Sequence, residues 1–518
     1  MAGGGRARAR PARPRGAGPR ASRSAEELAC ARLAGHARLA AGLVGPRSRL
    51  PRGARFSVST LSVFDAAREA PDAIGVVDGA VSLSFAELAR RTAPRARALV
   101  EARGAALALT PRADTESLLW LYAALATGTP LALLHARATA AERDHIVQLT
   151  GAQAPPAPQG GGSTELHLAE VPESAPLAVL PTSGSTGAPR LVRLSRRAFV
   201  ASAHASARNL GWEAADRWLL CLPLAHTGGL SVVTRCLLAR KTVLAFEPGP
   251  QGTLSCIAEL GELLGVATLA SLVPSVLGAL LDRGFVAPPQ LRAVLLGGAA
   301  CSPELARRAH AAGFPLITSY GLTETASQVV TRRYAERYRP LPVRRGVVSS
   351  GHPLPGVTLR LEGETISVNA ASLFSGYVGE AGSVLDERGF LVTNDRGELG
   401  DDGELYVRGR SDDVIISGGE NVDPLEVEAA LLALPGVRAA CVFGTPSVRF
   451  GEVVSAVLVT EDPTLVDARR VADLLSGRLA RHKVPRRVLR ADALPLGSSG
   501  KLDRRACRAR FAADWPQD

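Results

Sequence analysis

The sequence predicts an α/β fold, and three observations carry that reading. From Phe56 onward, short apolar runs of strand character alternate with amphipathic helical stretches. The runs are continuous, as strands buried on both faces of a largely parallel sheet require. The chain is 518 residues long and 46% apolar, enough to bury a large core without disulfide staples. Its length corresponds to about three domain-sized units.

The elements follow in order. Residues 74–77 and 81–83 read as strands around a turn at Asp78-Gly79. Ser84 then caps a helix over 85–99, with Glu87 placed to complete a capping box. Residues 115–126 read as helical and stop at Gly128 and Pro130. The Pro/Gly-rich stretch 151–164 reads as an exposed loop. Strands recur at 177–180, 219–222, 242–246, 293–296 and 315–318. From about Val357 the strands shorten and tight Gly turns appear, including Gly403 and Gly409. A further α/β unit spans roughly 410–518, with a helix over 423–434 and strands at 439–443 and 453–459.

Charge and cysteine content exclude several classes. The formal charge is +12, but residues 1–55 hold thirteen Arg and only two acids, Glu26 and Glu27. The remaining 463 residues carry 48 bases and 47 acids, so the body has no basic field for a nucleic acid partner. The Arg/Ala/Gly/Pro tail lacks the apolar stretch of a secretory signal and reads as a disordered extension. A polyanion-binding or targeting arm is the alternative. Seven scattered cysteines form no C-x-x-C pair, which excludes a disulfide framework or zinc ribbon and fits the cytoplasm. The most apolar window, 118–134, is broken by Gly128 and Pro130, so no membrane span is expected. Only Lys241, Lys483 and Lys501 are lysines, which makes each one informative.

Chemistry concentrates in a few loops. Thr182, Ser183, Gly184, Ser185, Thr186 and Gly187 follow an apolar strand and lead to Arg190. Hydroxyls and small residues let backbone N–H groups approach an anion, although a plain Ser/Gly turn has the same composition. The P-loop pattern fits neither this loop nor 497–501, where Leu502 stands in the Ser/Thr position. Ser319, Tyr320, Gly321, Thr323 and Glu324 form a turn after a strand. An aromatic ring beside glycine suits a purine, and the lone carboxylate suits Mg²⁺ shared with phosphate. A capped helix start explains that segment equally well. Gly297, Gly298 and Ala299 lie at another strand end, where ligands bind in open α/β sheets.

Taken together and in order, TSGSTGAPR, GGAA, SYGLTET, GRSDDVIISGGEN and LPLGSSGKLDRR resemble the core motifs of the adenylate-forming superfamily. The resemblance covers 175–505 firmly and 60–140 loosely. It implies a large N-terminal domain of packed sheets with flanking helices, over 56–410. A small mobile α+β lid would follow over 411–518. The implied reaction joins a carboxylate to ATP as an acyl-adenylate, then to a thiol, usually coenzyme A. By motif position, residues 182–187 would close over phosphates and Tyr320 would stack on adenine above Gly298 and Ala299. Glu324 would hold Mg²⁺, Asp395 and Arg410 the ribose, and Lys501 the developing charge at the α-phosphate. Asp412 would be the lid hinge, and Ser417, Gly418, Gly419 and Glu420 would line the coenzyme A channel. Two departures stand out: Arg190 where relatives usually carry Lys, and Asn394 where they commonly carry Gly.

The segments around His226, Ser271 and Glu324–Thr331 further resemble the o-succinylbenzoate–CoA ligase subfamily of menaquinone biosynthesis. That substrate carries two carboxylates, so a cation beyond the phosphate machinery is expected, and Arg235 is the candidate. His226, Arg235, Ser271 and Gln328 form the expected substrate set. A ligase for another aryl or medium-chain acid, or a non-catalytic nucleotide-binding relative, stays open, as does assembly into a homo-oligomer.

Overall fold

The computed structural model describes Met1 and residues 60–515, apart from 103, 159–165, 167, 183–189, 249–251 and 498–500. The Arg-rich extension, the heart of the 182–187 loop and part of the 151–164 loop lie outside the described residues.

Local signals set the first elements. Ser84 Oγ accepts from Glu87 N at 3.3 Å and Glu87 Oε2 accepts from Ser84 N at 2.9 Å, closing the capping box of helix Phe85–Glu101. Helix Thr115–Thr127 ends on Gly128 at φ +75°, a conformation that favours glycine.

The largest sheet has nine strands. Its order runs His352–Pro353, Ser327–Thr331, Leu316–Leu322, Ala293–Leu296, Leu269–Leu272, Arg217–Leu220, Thr242–Ala245, Ile74–Asp78, Val81–Ser84. Its interior is parallel and its edges antiparallel, so the parallel expectation holds where the strands are fully buried. The run expected at 219–222 is paired as Arg217–Leu220, because Pro223 offers no N–H to continue the ladder.

A four-stranded sheet (Leu107–Leu109, Leu131–Leu133, Pro176–Pro181, Leu191–Ser195) shares a core with helix Thr115–Thr127. The short strands after Val357 form an antiparallel sheet of Val357–Glu362, Thr365–Ala370, Leu391–Leu399 and Leu405–Arg410. Beyond Arg410 the smaller C-terminal domain builds its own five-stranded sheet around Ile415, Val427, Leu431, Val442, Val454 and Leu458. No helix among the described residues is long and apolar enough to cross a membrane. The six described cysteines are all free thiols.

One expected turn is strand instead. The run at 315–318 continues through Ser319, Tyr320 and Gly321 as Leu316–Leu322, paired antiparallel with Ser327–Thr331. Gly321 permits this, since a Cβ there would lie 2.0 Å from the Ser327 carbonyl oxygen. The chain reverses through Ala326 and Ser327 at φ +50° and +94°.

Candidate active site

The site gathers at the carboxyl ends of the parallel strands, where open α/β sheets place their ligands. Strand Ala293–Leu296 delivers Gly297 and Gly298, and strand Leu316–Leu322 delivers Tyr320. Tyr320 is buried, and its hydroxyl donates to Asp395 Oδ2 at 2.8 Å. Asp395 sits on Leu391–Leu399, paired in register with Arg410, whose Nε lies 3.7 Å from Asp395 Oδ1. Burial raises the Asp395 carboxyl, while the Tyr320 hydroxyl and the Arg410 charge pull it back down. Tyr320 and Asp395, the residues expected at adenine and ribose, are thus joined to each other.

Lys501 reaches this cluster from the C-terminal domain. Gly497 N donates to Lys501 O at 2.8 Å and Asp503 N donates to Pro495 O at 3.0 Å, so a hairpin presents the lysine. A Cβ placed on Gly298 would lie 2.9 Å from Lys501 Cε and 3.5 Å from Nζ. The residue is exposed, yet protein atoms crowd its ammonium beside Gly298. That crowding lowers its pKa below the ordinary lysine value, partly offset by Asp395.

Glu324 lies in the turn Thr323–Thr325 and accepts from the Tyr377 hydroxyl at 2.9 Å through Oε1. A half-buried carboxylate with one oxygen held in place suits a hard cation shared with phosphate oxygens. Arg190 lies against the Tyr377 ring, 3.5 Å from its centroid, and pairs with Glu380. Thr182 N donates to Arg190 O at 2.9 Å, closing the base of the Ser/Gly loop. Ser183, Gly184, Ser185, Thr186 and Gly187 lie outside the described residues.

The expected carboxylate pocket is a separate buried cluster. Arg235, on helix Thr227–Ala239, is 2% exposed and has no ion pair among the described residues. Its Nη2 donates to Ser202 Oγ at 3.5 Å, and its guanidinium lies over Trp218 at 5.6 Å. Gln328 Nε2 donates to Ser206 Oγ at 3.2 Å, one turn along the same helix face. Arg235 Nε and Gln328 Oε1 are buried without a hydrogen-bond partner. Ser271 accepts from the Trp218 indole at 3.0 Å, so its hydroxyl fixes the ring beneath Arg235. Burial pulls Arg235 down to about 10. His226 precedes the same helix with its ring 5.4 Å from that of His135, and burial, His135 and Lys501 lower it to about 4. His226 is thus a neutral imidazole near pH 7.

The remaining candidates lie in the C-terminal domain. Asp412, in the turn Ser411–Asp413, accepts from Asn394 Nδ2 at 3.5 Å. Ser417 pairs with Glu420 across a hairpin turned by Gly418 and Gly419, whose φ values are +62° and +86°. Gly418 N donates to Phe450 O at 2.9 Å, within the same domain.

Sequence reasoning missed four residues. Tyr377 and Glu380 lie in a loop that gave no motif signal beyond a Gly-Tyr pair, and His135 stands alone in its segment. Asp423 joins the two domains: it accepts from Arg396 Nη1 at 2.7 Å and lies 3.2 Å from Arg408 Nη2.

Known proteins share this chain's family and fold. Residues 155–411 match the AMP-binding enzyme family, and residues 426–501 match the AMP-binding enzyme C-terminal domain. The chain belongs to this AMP-binding, adenylate-forming family of ligases. Within it, the chain is similar to a 2-succinylbenzoate–CoA ligase of Bacillus licheniformis, 31% identical over 482 residues, covering 84% of this chain and 96% of that protein. It is also similar to the solved o-succinylbenzoate CoA synthetase of Bacillus subtilis in complex with the acyl-adenylate OSB-AMP. That structure has a TM-score of 0.75 at 29% identity, covering 86% of this chain and 96% of that one. The same Bacillus subtilis enzyme with ATP and magnesium gives a TM-score of 0.76 at 29% identity, covering 86% and 98%.

Proposed function

We propose that this chain is an ATP-dependent o-succinylbenzoate–CoA ligase serving menaquinone biosynthesis. The observation that carries the substrate assignment is Arg235, a fully buried guanidinium with no carboxylate partner among the described residues. A buried, uncompensated charge is costly, and an anionic substrate group that supplies the missing partner removes that cost. The aromatic carboxylate of the substrate takes this place, while its succinyl carboxylate extends toward Lys501.

In the first half-reaction a carboxylate oxygen attacks the α-phosphorus of ATP. The new O–P bond forms as the bond to the β-phosphate breaks and pyrophosphate leaves. Tyr320 and the backbone at Gly298 and Ala299 seat the adenine, and Asp395 with Arg410 holds the ribose. Lys501 donates to the oxygen that gains charge in the transition state, where a preorganised cation is most effective. Glu324 would hold Mg²⁺, and the ion would supply charge that neutralises the departing pyrophosphate. Residues 182–187 and Arg190 cradle the β- and γ-phosphates.

In the second half-reaction the coenzyme A thiol adds to the acyl carbon, AMP leaves with the bonding pair, and the thiol proton passes to solvent. We assign residues 56–410 to the body and 411–518 to a lid that turns at Asp412, bringing Ser417, Gly418, Gly419 and Glu420 to the thiol channel. Asp412→Pro is then expected to leave pyrophosphate exchange near normal and suppress thioester formation; equal loss of both would reject the hinge. The free thiols suit a reducing cytoplasm. The deciding experiment offers purified protein ATP, coenzyme A and a panel of carboxylic acids, and measures AMP release. Preference for benzoate or octanoate over o-succinylbenzoate overturns the substrate, and no AMP with any acid overturns the enzyme.

A further inference from the structure

Arg190, the departure from the family pattern that bears on phosphate, has a built surrounding. The segment 375–378 is tied to the strand that begins just after it. Ser375 N donates to Arg193 O at 2.8 Å, Arg193 N to Gly376 O at 3.0 Å, and Val378 N to Leu191 O at 2.9 Å. These bonds fix Tyr377 and Glu380 beside Arg190. Arg190 Nε donates to Glu380 Oε1 at 2.8 Å and Nη2 to Oε2 at 2.5 Å. The guanidinium face lies 3.5 Å from the Tyr377 ring centroid, and the Tyr377 hydroxyl donates to Glu324 at 2.9 Å.

We propose that Glu380 is a positioning residue that holds Arg190 for the ATP phosphates, and that this pair is what lets an arginine end the phosphate loop. The inference rests on the ATP-dependent reading above. A guanidinium is a planar fork with two usable edges. Glu380 occupies the Nε/Nη2 edge and Tyr377 the face, so Nη1 is left pointing away from Glu380, with no hydrogen-bond partner among the described residues. The Arg190 backbone already closes the base of the Ser/Gly loop through Thr182. A lysine, with one compact ammonium, cannot serve a carboxylate clamp and a phosphate through separate edges. The same ring that supports Arg190 orients the metal carboxylate, so phosphate cation and metal site are aligned by one side chain.

The test measures steady-state kinetics, with ATP and carboxylate varied separately, on wild type, Glu380→Gln, Arg190→Lys and the double variant. Because the pair is part-exposed, its loss is expected to raise KM for ATP about two- to fivefold. In Glu380→Gln, KM for the carboxylate and melting temperature should stay at wild-type values. In the Arg190→Lys background, Glu380→Gln should add nothing further. Wild-type kinetics in Glu380→Gln, a full additional penalty in the double variant, or a rise in both KM values with a lowered melting temperature would each overturn the proposal. Absence of carboxylate-dependent AMP from wild type is a separate outcome, which sinks the ligase reading instead.

Discussion

Lys501 of the C-terminal domain lies directly over Gly298 of the N-terminal domain, so close that a Cβ on Gly298 would meet Lys501 Cε at 2.9 Å. Gly298 also has φ +83°, which costs an L-residue about 1–2 kcal/mol. Gly298→Ala is therefore expected to displace the ammonium while changing no charge. A shift near 1 Å in a reacting group is associated with about 100-fold loss of rate. Pyrophosphate exchange should fall by about that factor with little change in circular dichroism, and near-normal exchange would refute the contact.

The same surroundings set a pH limit. Crowding lowers Lys501 below its ordinary value of 10.5, with Asp395 partly opposing. The proposed role of Lys501 needs the ammonium, which exists below the Lys501 pKa and is lost as pH rises through it. Adenylation should thus decline on the alkaline side earlier than an exposed lysine would allow. Lys501→Arg, which stays charged throughout, should be slower but flat across that range. An alkaline decline that persists unchanged in Lys501→Arg would assign the limb to another group.

Much of this site was legible in the sequence because its motif residues are contiguous. Ser84 with Glu87 is a local pattern read without knowing the fold, and Lys501 was picked out by its rarity and its motif, not by the hairpin that presents it. What the sequence concealed are pairings made by tertiary approach. Glu380 meets Arg190 across 190 positions, and Tyr377 meets Glu324 across 53. No periodicity records such contacts. The Tyr320 segment misled for the same reason: its glycine signals a turn locally, whereas pairing with Ser327–Thr331 extends the strand. Arg235 sat in an apolar helix where its burial was undecidable, since an arginine stem also covers such a surface from outside.

Arg235 yields a prediction with opposite signs for stability and activity. Replacing a buried, unpaired cation by an apolar side chain of similar length removes a desolvation cost. Arg235→Met is expected to hold or raise the melting temperature. Activity on o-succinylbenzoate should fall about 100-fold or more in kcat/KM, the range for losing a desolvated charge partner. Activity on a monocarboxylic aryl acid, with nothing to place at Arg235, should change little. Loss of stability together with equal loss on both acids would make Arg235 a structural residue.

Asp423 joins the smaller C-terminal domain to the large N-terminal one. It is 6% exposed and accepts from Arg396 at 2.7 Å, with Arg408 3.2 Å away, and Glu364 of the body binds both arginines. Burial raises the Asp423 carboxyl, and the two guanidinium charges pull it back. Both arginine partners precede Asp412, so a turn at that residue would carry Asp423 away from them. The network therefore favours the orientation that places Lys501 over Gly298. Asp423→Asn leaves Arg396 and Arg408 paired with Glu364 and weakens only the interdomain arm. The interdomain arm, if weakened by about 1 kcal/mol, corresponds to roughly a fivefold shift in lid population. Pyrophosphate exchange should slow by about that factor, while thioester formation from supplied acyl-adenylate should be unchanged or faster. Slowing of both steps alike would show that Asp423 stabilises the lid domain itself and not its orientation.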